Sequence, residues 1–150
     1  MTEPLWAGPA VALVNLFDAD AAVDAKGTAE HAARLVEAGI RAVLVNGSTG
    51  EAAALSDAER VALVAAVREA CPGVPVLAGA SGDWWQQAAD RVAGAIDAGA
   101  DAGQCLAAWD RDAAAQHEVL RTERESKALP GGLKEAMARR YGTSPVRRLG

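Results

Sequence analysis

The chain is poor in aromatic residues and cysteine and has no long apolar run, and these shortages limit the classes of protein it can belong to. Phe, Trp and Tyr make up 4% of its 150 residues, and alanine is abundant, so we expect strong helices and a core of small side chains. Cys71 and Cys105 lie far apart without a CxxC pair, which favours reduced thiols in a cytosolic protein. No apolar run approaches the roughly 20 residues that span a bilayer.

Positive charge is also scarce. Fifteen Lys and Arg residues are outnumbered by 20 Asp and Glu residues, and the formal net charge of −5 argues against a nucleic-acid-binding protein. The start of the sequence, MTEP, lacks the basic region of a signal peptide. We therefore expect a cytoplasmic protein that binds neither nucleic acid nor a membrane. The composition, 51% hydrophobic and 23% charged, is that of a globular domain with a core of its own.

Short apolar runs alternate with helical segments along the first two thirds of the chain. Each run is rich in Val and Leu or Ala, as in strands that are buried on both faces of a parallel sheet. The predicted strands are residues 9–17, 41–46 and 74–80. The predicted helices are residues 28–38, 56–70 and 84–98. This order predicts right-handed crossovers and an α/β fold.

The helical period predicts which residues of each helix point inward. The expected inward residues are Ala32, Leu35, Val36, Val61, Val64, Val67, Ala89, Val92 and Ile96. His31 falls on or near the solvent side of the first helix. Ser56 and Glu59 form a capping box at the start of the second helix. Gly39 and Gly99 are placed to end the first and third helices, Gly39 in the left-handed conformation.

The pattern changes at Gly103, where a fourth apolar strand is expected. Residues 103–109 instead favour a helix. Further helices are predicted for residues 112–126 and 133–141, with a linker at residues 130–132. We therefore divide the chain into residues 1–102 and a C-terminal helical segment, residues 103–150.

The candidate binding site is the GSTGE loop (residues 47–51), which joins the second strand to the second helix. Gly47 and Gly50 allow the backbone to approach a ligand or to take positive φ. Ser48 and Thr49 place two hydroxyls beside backbone N–H groups, an arrangement that suits a small carboxylate. A tight turn without a ligand explains the same residues equally well. A P-loop does not, because the glycine spacing is wrong and no Lys-Ser/Thr pair follows. We predict neither a metal site nor a cofactor.

Residues 8–102 resemble the N-terminal part of the dihydrodipicolinate synthase/N-acetylneuraminate lyase family. PAVALVNLFD, GSTGE followed by LSDAER, and VPVLAGASG occur in that family's order and spacing. Residues 109–150, above all GGLKEAMARRYGTSPVRRLG, are similar to the family's C-terminal helices. The resemblance implies a partial (β/α)8 (TIM) barrel with three to four parallel strands, plus C-terminal helices. Because a complete barrel takes about 250 residues, we interpret the chain as an internally deleted member with its joint near Gly103.

The resemblance also implies an activity and a site. Family members hold pyruvate or a related 2-oxo acid as a Schiff base on a lysine of the sixth strand, and a tyrosine after the fourth strand relays protons. By resemblance Ser48 is the candidate catalytic residue, a proton-relay hydroxyl. Thr49 and its amide match the group that holds the substrate carboxylate. Gly47 and Gly50 shape the loop, and Glu51 is structural.

Parts of that machinery are missing from the sequence. Its lysines are Lys26, Lys127 and Lys134, none of which follows an apolar strand, and its only tyrosine is Tyr141. An exposed amine with the ordinary pKa of about 10.4 is almost wholly protonated at pH 7, so it is a poor nucleophile. The family's Thr-Pro-Phe after the first strand is replaced here by residues 15–17, Asn-Leu-Phe. We expect no turnover of pyruvate.

Two classes of function stay open at this point. The first is a lyase or synthase of the Schiff-base aldolase type, by family. The second is a non-catalytic remnant or an interaction subunit that at most binds a small carboxylate. Half a barrel leaves one sheet face and two strand edges bare. The C-terminal helices could cover them, or a second copy could restore eight strands as a homo-oligomer, or the chain is an unstable remnant.

Overall fold

Strands and helices alternate through residues 5–104, the part of the chain that the computed structural model describes. Two short 3₁₀ turns, Ser48–Gly50 and Ala52–Ala54, follow the second strand. The other elements, in chain order, are β1 (Ala10–Ala12), α1 (Ala25–Glu37), β2 (Ala42–Val45), α2 (Asp57–Ala70), β3 (Val76–Gly79), α3 (Trp85–Asp97) and β4 (Ala102–Gln104). Among these residues no helix has the length and apolar character needed to cross a bilayer.

The four strands form one parallel sheet in the order β1-β2-β3-β4. Ala12 pairs with Leu44, Leu44 with Leu77, and Leu77 with Ala102, so these residues form one row across the sheet. Because all strands run in the same direction, the loops that follow them lie along one edge, which we call the carboxyl edge. The predicted α/β sheet of three to four parallel strands is confirmed.

Strand β4 corrects the prediction at Gly103. The sequence favoured a helix from this residue, but Gly103 pairs with Ala78 as the middle residue of β4. The absence of a side chain explains why glycine fits, since a Cβ there would lie 3.1 Å from both methyl groups of Val92 in α3. β4 crosses the predicted boundary at residue 102. Residues 105–150 lie outside the described part, so the C-terminal helices and the division of the chain stay predictions.

Strand β1 is shorter than the apolar run that contains it. Regular pairing covers only Ala10–Ala12 of the predicted residues 9–17. One further ladder bond joins the Leu13 amide to the Leu44 carbonyl at 2.9 Å. The chain then continues as a buried segment that ends with an antiparallel bridge between Phe17 and Val23. The run is apolar because residues 13–17 are buried, and not because all of it is strand.

The core lies between the sheet and the helices and is built from small aliphatic side chains. Alternate strand residues are fully buried in it, while Leu44 and Leu77 are only half-buried. The core residues of the central strands and of α2 are Val43, Val45, Val76, Ala78, Leu63, Val64 and Val67. The inward orientation predicted for Val64, Val67 and Ala32 is confirmed.

Three residues predicted to point inward are exposed. Val61 of α2 and both Ala89 and Ile96 of α3 lie at the surface. In α3 it is Ala95, next to Ile96, that is buried, and α2 turns Leu63 rather than Val61 into the core. The period was correct but the rotation of each helix about its axis was not, because neighbouring elements set that rotation.

Helix ends match the sequence signals. The Ser56 amide donates to Glu59 Oε2 at 2.8 Å, and the Glu59 amide donates to Ser56 Oγ at 3.3 Å, which completes the capping box. Gly39 and Gly99 follow α1 and α3 with φ of 109° and 99°. The amide of each glycine donates to the carbonyl three residues earlier, as in a Schellman motif.

His31 is fully buried, so its predicted position on the solvent side of α1 is wrong. The helix begins at Ala25, and His31 shares its buried face with Thr28 and Ala32. Burial lowers the pKa of the His31 imidazole, and the positive charge of Arg34 lowers it further. The folded protein therefore holds this side chain in its neutral form at neutral pH.

This lowered pKa predicts a loss of stability in mild acid. The unfolded chain takes up a proton at His31 near pH 6.5 and the folded chain does so only at lower pH, so the free energy of unfolding falls by up to about 1.4 kcal/mol per pH unit below that value. Urea unfolding between about pH 7.5 and 5.5 measures this slope. His31→Gln is expected to flatten it, whereas His117→Gln, at the other histidine, is expected to retain it. Equal slopes for wild type and His31→Gln would contradict the assignment.

Candidate functional site

The GSTGE loop leaves β2 at the carboxyl edge through a hydrogen-bonded 3₁₀ turn. The Gly50 amide donates to the Gly47 carbonyl and the Glu51 amide to the Ser48 carbonyl, both at 3.0 Å. The left-handed residues are Asn46 and Glu51, with φ of 58° and 59°, and not the two glycines. The loop is therefore a defined turn whose flanking residues carry the unusual backbone conformation.

Close packing explains why residue 50 is glycine. A Cβ at Gly50 would lie 3.0 Å from Asn15 Nδ2 and 3.0 Å from the Leu13 carbonyl oxygen. These contacts are tighter than ordinary van der Waals distances, so a side chain would push the turn away from the segment after β1. The sequence pattern predicted ligand approach or positive φ for Gly50, and the structure assigns it to packing.

The turn brings all four predicted site residues together. Ser48 is exposed and Thr49 is half-buried, while Gly47 and Gly50 complete the turn around them. The first N–H groups of a helical turn have no acceptor within that turn. No acceptor within residues 5–104 takes a hydrogen bond from the Thr49 amide. The turn thus offers an amide and two hydroxyls on neighbouring residues, and these are groups that bind a carboxylate.

Asn15 supports this turn from the buried side. Its Nδ2 donates to the Gly50 carbonyl at 2.6 Å, across 35 residues of sequence. The next residue is fixed as well, because the Leu16 amide donates to Thr28 Oγ1 of α1 at 2.9 Å. In the sequence, Asn15 stood out only as a departure from a family motif. The available signal was a polar side chain inside an otherwise apolar run.

The loops after β2 and β3 touch each other. A Cβ at Gly79 would lie 2.1 Å from the Asn46 carbonyl oxygen, so only glycine fits at the end of β3. Asn46 is buried, and its Nδ2 donates to the Arg60 carbonyl of α2 at 3.0 Å. The residue that precedes the GSTGE loop is therefore held by both β3 and α2.

A cavity of about 230 Å³ opens between α2 and α3 beside this contact, lined by Asn46, Arg60, Trp84 and Arg91 among others. Its charged residues pair with one another. Arg91 Nε lies 2.7 Å from Asp57 Oδ1, and Arg60 Nε lies 4.0 Å from the same oxygen. Burial lowers the pKa of the Arg60 guanidinium, Arg91 adds to this effect and Asp57 opposes it. This pairing leaves the cavity without the surplus positive charge of an anion site.

Other reactive groups give no second centre in the described residues. Between residues 5 and 104 no three His, Cys, Asp or Glu side chains are placed to hold a metal ion. Cys71 is a buried free thiol, as the sequence predicted, whereas Cys105 lies outside the described part. Burial raises the pKa of Cys71, against the opposite effect of Arg68, which makes it a weak nucleophile.

Parallel strands that alternate with helices, in the same order in the sheet as in the chain and with polar loops at the carboxyl edge, are typical of part of a (β/α)8 barrel. The model of the Dihydrodipicolinate synthetase family matches residues 6–108, well over half of the sequence. The chain therefore belongs to the dihydrodipicolinate synthetase family.

Three relatives illustrate the match. A 4-hydroxy-tetrahydrodipicolinate synthase from Synechococcus sp. strain WH7803 is 44% identical over 91 residues, which are 60% of this chain and 30% of the relative. Its counterpart from Natronomonas pharaonis is 35% identical over 101 residues, 67% and 34% of the two chains. A prophage protein of the dihydrodipicolinic acid synthase family from E. coli K12, solved in complex with pyruvate, has a TM-score of 0.61 and 30% identity, and the match covers 65% of this chain and 33% of that one. The chain thus spans about a third of the length of these relatives.

The contact between Gly79 and Asn46 predicts a severe effect of one methyl group. Gly79→Ala is expected to lower the free energy of unfolding by at least about 3 kcal/mol, because the new Cβ overlaps a backbone carbonyl that β3 and α2 hold in place. Gly73→Ala is the matched control, since a Cβ there meets no atom within 4 Å. It is expected to change stability by less than about 1 kcal/mol. Urea unfolding measures both, and similar values for the two variants would show that the contact is not rigid.

Proposed function

We propose that the GSTGE loop binds the carboxylate of a small 2-oxo acid such as pyruvate, and that this chain does not convert the bound acid. The observation that carries the proposal is the turn that presents Ser48 and the Thr49 amide together at the carboxyl edge. In barrels of this class the binding residues come from the loops at that edge. Family membership and the pyruvate complex of the E. coli relative support the choice of ligand.

Each residue of the turn has a distinct part in this proposal. The Thr49 amide and hydroxyl donate hydrogen bonds to the carboxylate, which are stronger than bonds to a neutral acceptor. Ser48 is an exposed residue beside them, and its hydroxyl reaches the carbonyl end of the acid, where it acts as the relay hydroxyl. Gly47 keeps the start of the turn free of a side chain, so that the acid approaches the backbone closely, while Gly50 lets the other end pack against Asn15.

The absence of a suitable amine is the reason for proposing no turnover. Schiff-base chemistry needs a lysine whose pKa is lowered by a dry pocket or by neighbouring charges. Lys26 lies on α1 with 89% of its side chain exposed and its Nζ 3.8 Å from Glu30 Oε1. Lys127 and Lys134 lie outside the described residues, and the sequence places neither of them after an apolar strand. Removing the nucleophile from such a site commonly costs many orders of magnitude in rate.

A second candidate is a non-catalytic role as a remnant or as a subunit that pairs with another chain. It is favoured by the open sheet face, where Ala10 and Ala12 of the edge strand β1 are exposed and Leu44 and Leu77 are only half-buried. A second copy could pair with β1 and β4 and restore eight strands. Light scattering that shows only monomer at micromolar concentration would exclude this homo-oligomer. For either candidate function we propose the cytoplasmic location that the sequence led us to expect.

The proposed binding of pyruvate is tested by removing the carboxylate from the ligand and the hydroxyl from Thr49. Titration with pyruvate, followed by amide NMR shifts, is expected to move the signals of residues 47–51. Thr49→Val is expected to weaken binding about tenfold, because a charge-assisted hydrogen bond is lost. Acetone is the control ligand, since it keeps the ketone but lacks the carboxylate, and it is expected to cause no shift there. Equal responses to pyruvate and acetone would refute a carboxylate site.

Absence of Schiff-base chemistry is tested by borohydride trapping. The protein is incubated with pyruvate, reduced and weighed by mass spectrometry, with a complete family enzyme as positive control. We expect the enzyme to gain a stoichiometric adduct and this chain to gain none, because Lys26 is exposed on a helix and the sequence places no lysine after an apolar strand. An adduct mapped to Lys127 or Lys134 would overturn the proposal, and replacement of that lysine by arginine would then locate the nucleophile.

A further inference from the structure

We infer that Asn15 is a positioning residue for the GSTGE loop, and that its side-chain amide sets the alignment in which Ser48 and Thr49 meet a carboxylate. The expected effect of Asn15 on pyruvate affinity rests on the proposed function. Its effect on the conformation of the turn does not, and that effect is testable without a ligand.

The position of Asn15 gives it direct control over one end of the turn. Asn15 is fully buried, and its Nδ2 donates to the Gly50 carbonyl at 2.6 Å. The space between them is closed, because a Cβ at Gly50 would already lie 3.0 Å from the amide nitrogen. The turn therefore cannot move toward Asn15, and the hydrogen bond prevents it from moving away.

Because the turn is short, the hydrogen bond from Asn15 to Gly50 also restricts the positions of Ser48 and Thr49. The Gly50 amide is bonded to the Gly47 carbonyl, so the two ends of the turn are tied together around Ser48 and Thr49. Without the Asn15 amide, the buried Gly50 carbonyl would lose its partner. A buried carbonyl without a partner is costly, so the turn would shift until it found water or another donor.

The residue after Asn15 is held from the side of α1. The Leu16 amide donates to Thr28 Oγ1 at 2.9 Å, and both groups are buried. A continuous set of contacts thus runs from α1 through the segment after β1 to the turn. The Thr28 bond supports the same segment but does not touch the loop, which makes Thr28 a matched control.

The other end of the Asn15 amide indicates that the residue is not chosen for stability alone. Its Oδ1 is buried and has no hydrogen-bond partner within residues 5–104. A buried acceptor left without a partner lowers stability, and this cost offsets part of what the bond to Gly50 contributes. The benefit of asparagine here is the single bond to Gly50, and that bond acts on the candidate binding loop.

The test compares Asn15→Leu with Thr28→Val, which each remove one buried hydrogen bond from the same segment. The first readout is hydrogen exchange of the Glu51 amide, which closes the turn, with the Cys71 amide at the end of α2 as reference. Asn15→Leu is expected to speed exchange at Glu51 about tenfold relative to Cys71, because the turn opens locally. Thr28→Val is expected to lower the urea midpoint while leaving that ratio within about twofold of wild type.

The second readout is pyruvate affinity by NMR titration. Asn15→Leu is expected to weaken it about tenfold and Thr28→Val by less than about twofold, since only the first variant releases the turn. Equal effects of the two variants on exchange and affinity would show that Asn15 is an ordinary core residue. If wild type binds no pyruvate, the proposed function fails, and the exchange ratio still decides the role of Asn15. If Asn15→Leu does not fold, Asn15→Ser, a shorter donor, is measured in the same way, and a wild-type exchange ratio for it would overturn the inference.

Discussion

The contact between the loops that leave β2 and β3 is the constraint on which the carboxyl edge depends. Gly79 lies so close to the Asn46 carbonyl that no side chain fits between them. Asn46 accommodates this contact with a positive φ and is tied to α2 through its side-chain amide. Strand β3 therefore presses on the residue that starts the GSTGE loop, and Asn15 holds the other end at Gly50. The loop is placed by the sheet around it, and its own five residues supply only the groups that face outward.

Most of the element order was predictable because each boundary carries local chemistry. Ser56 and Glu59 meet within a single helical turn, and Gly39 and Gly99 end their helices by bonds that span three residues. Such interactions are contained in short stretches of sequence, so a sequence pattern reveals them. Strand β4 was missed because its composition is not that of a strand. Gly103 belongs to the strand because its backbone pairs with Ala78, and glycine fits there because it leaves room for the Val92 side chain of α3.

The orientation of helices and the support of the site were not predictable in the same way. The burial of His31 and the exposure of Val61 both depend on how α1 and α2 rotate against their neighbours, and periodicity within one helix does not fix that rotation. The GSTGE loop was found because it is a contiguous motif in a family context. The role of Asn15 was not found, because its partner lies 35 residues away. The family's Thr-Pro-Phe pattern has a proline where this chain has Leu16, and proline has no N–H. The hydrogen bond from the Leu16 amide to Thr28 therefore exists only because leucine replaces that proline.

The agreement between strand order in the sheet and strand order in the chain has a consequence for biosynthesis. Each of the strands β2, β3 and β4 pairs with the strand made just before it, so no pairing within residues 5–104 waits for a distant part of the polypeptide. Translation at about 5–20 residues per second releases a unit of about 30 residues every few seconds. The sheet can therefore grow vectorially on the ribosome, with each new strand added to the exposed edge of its predecessor.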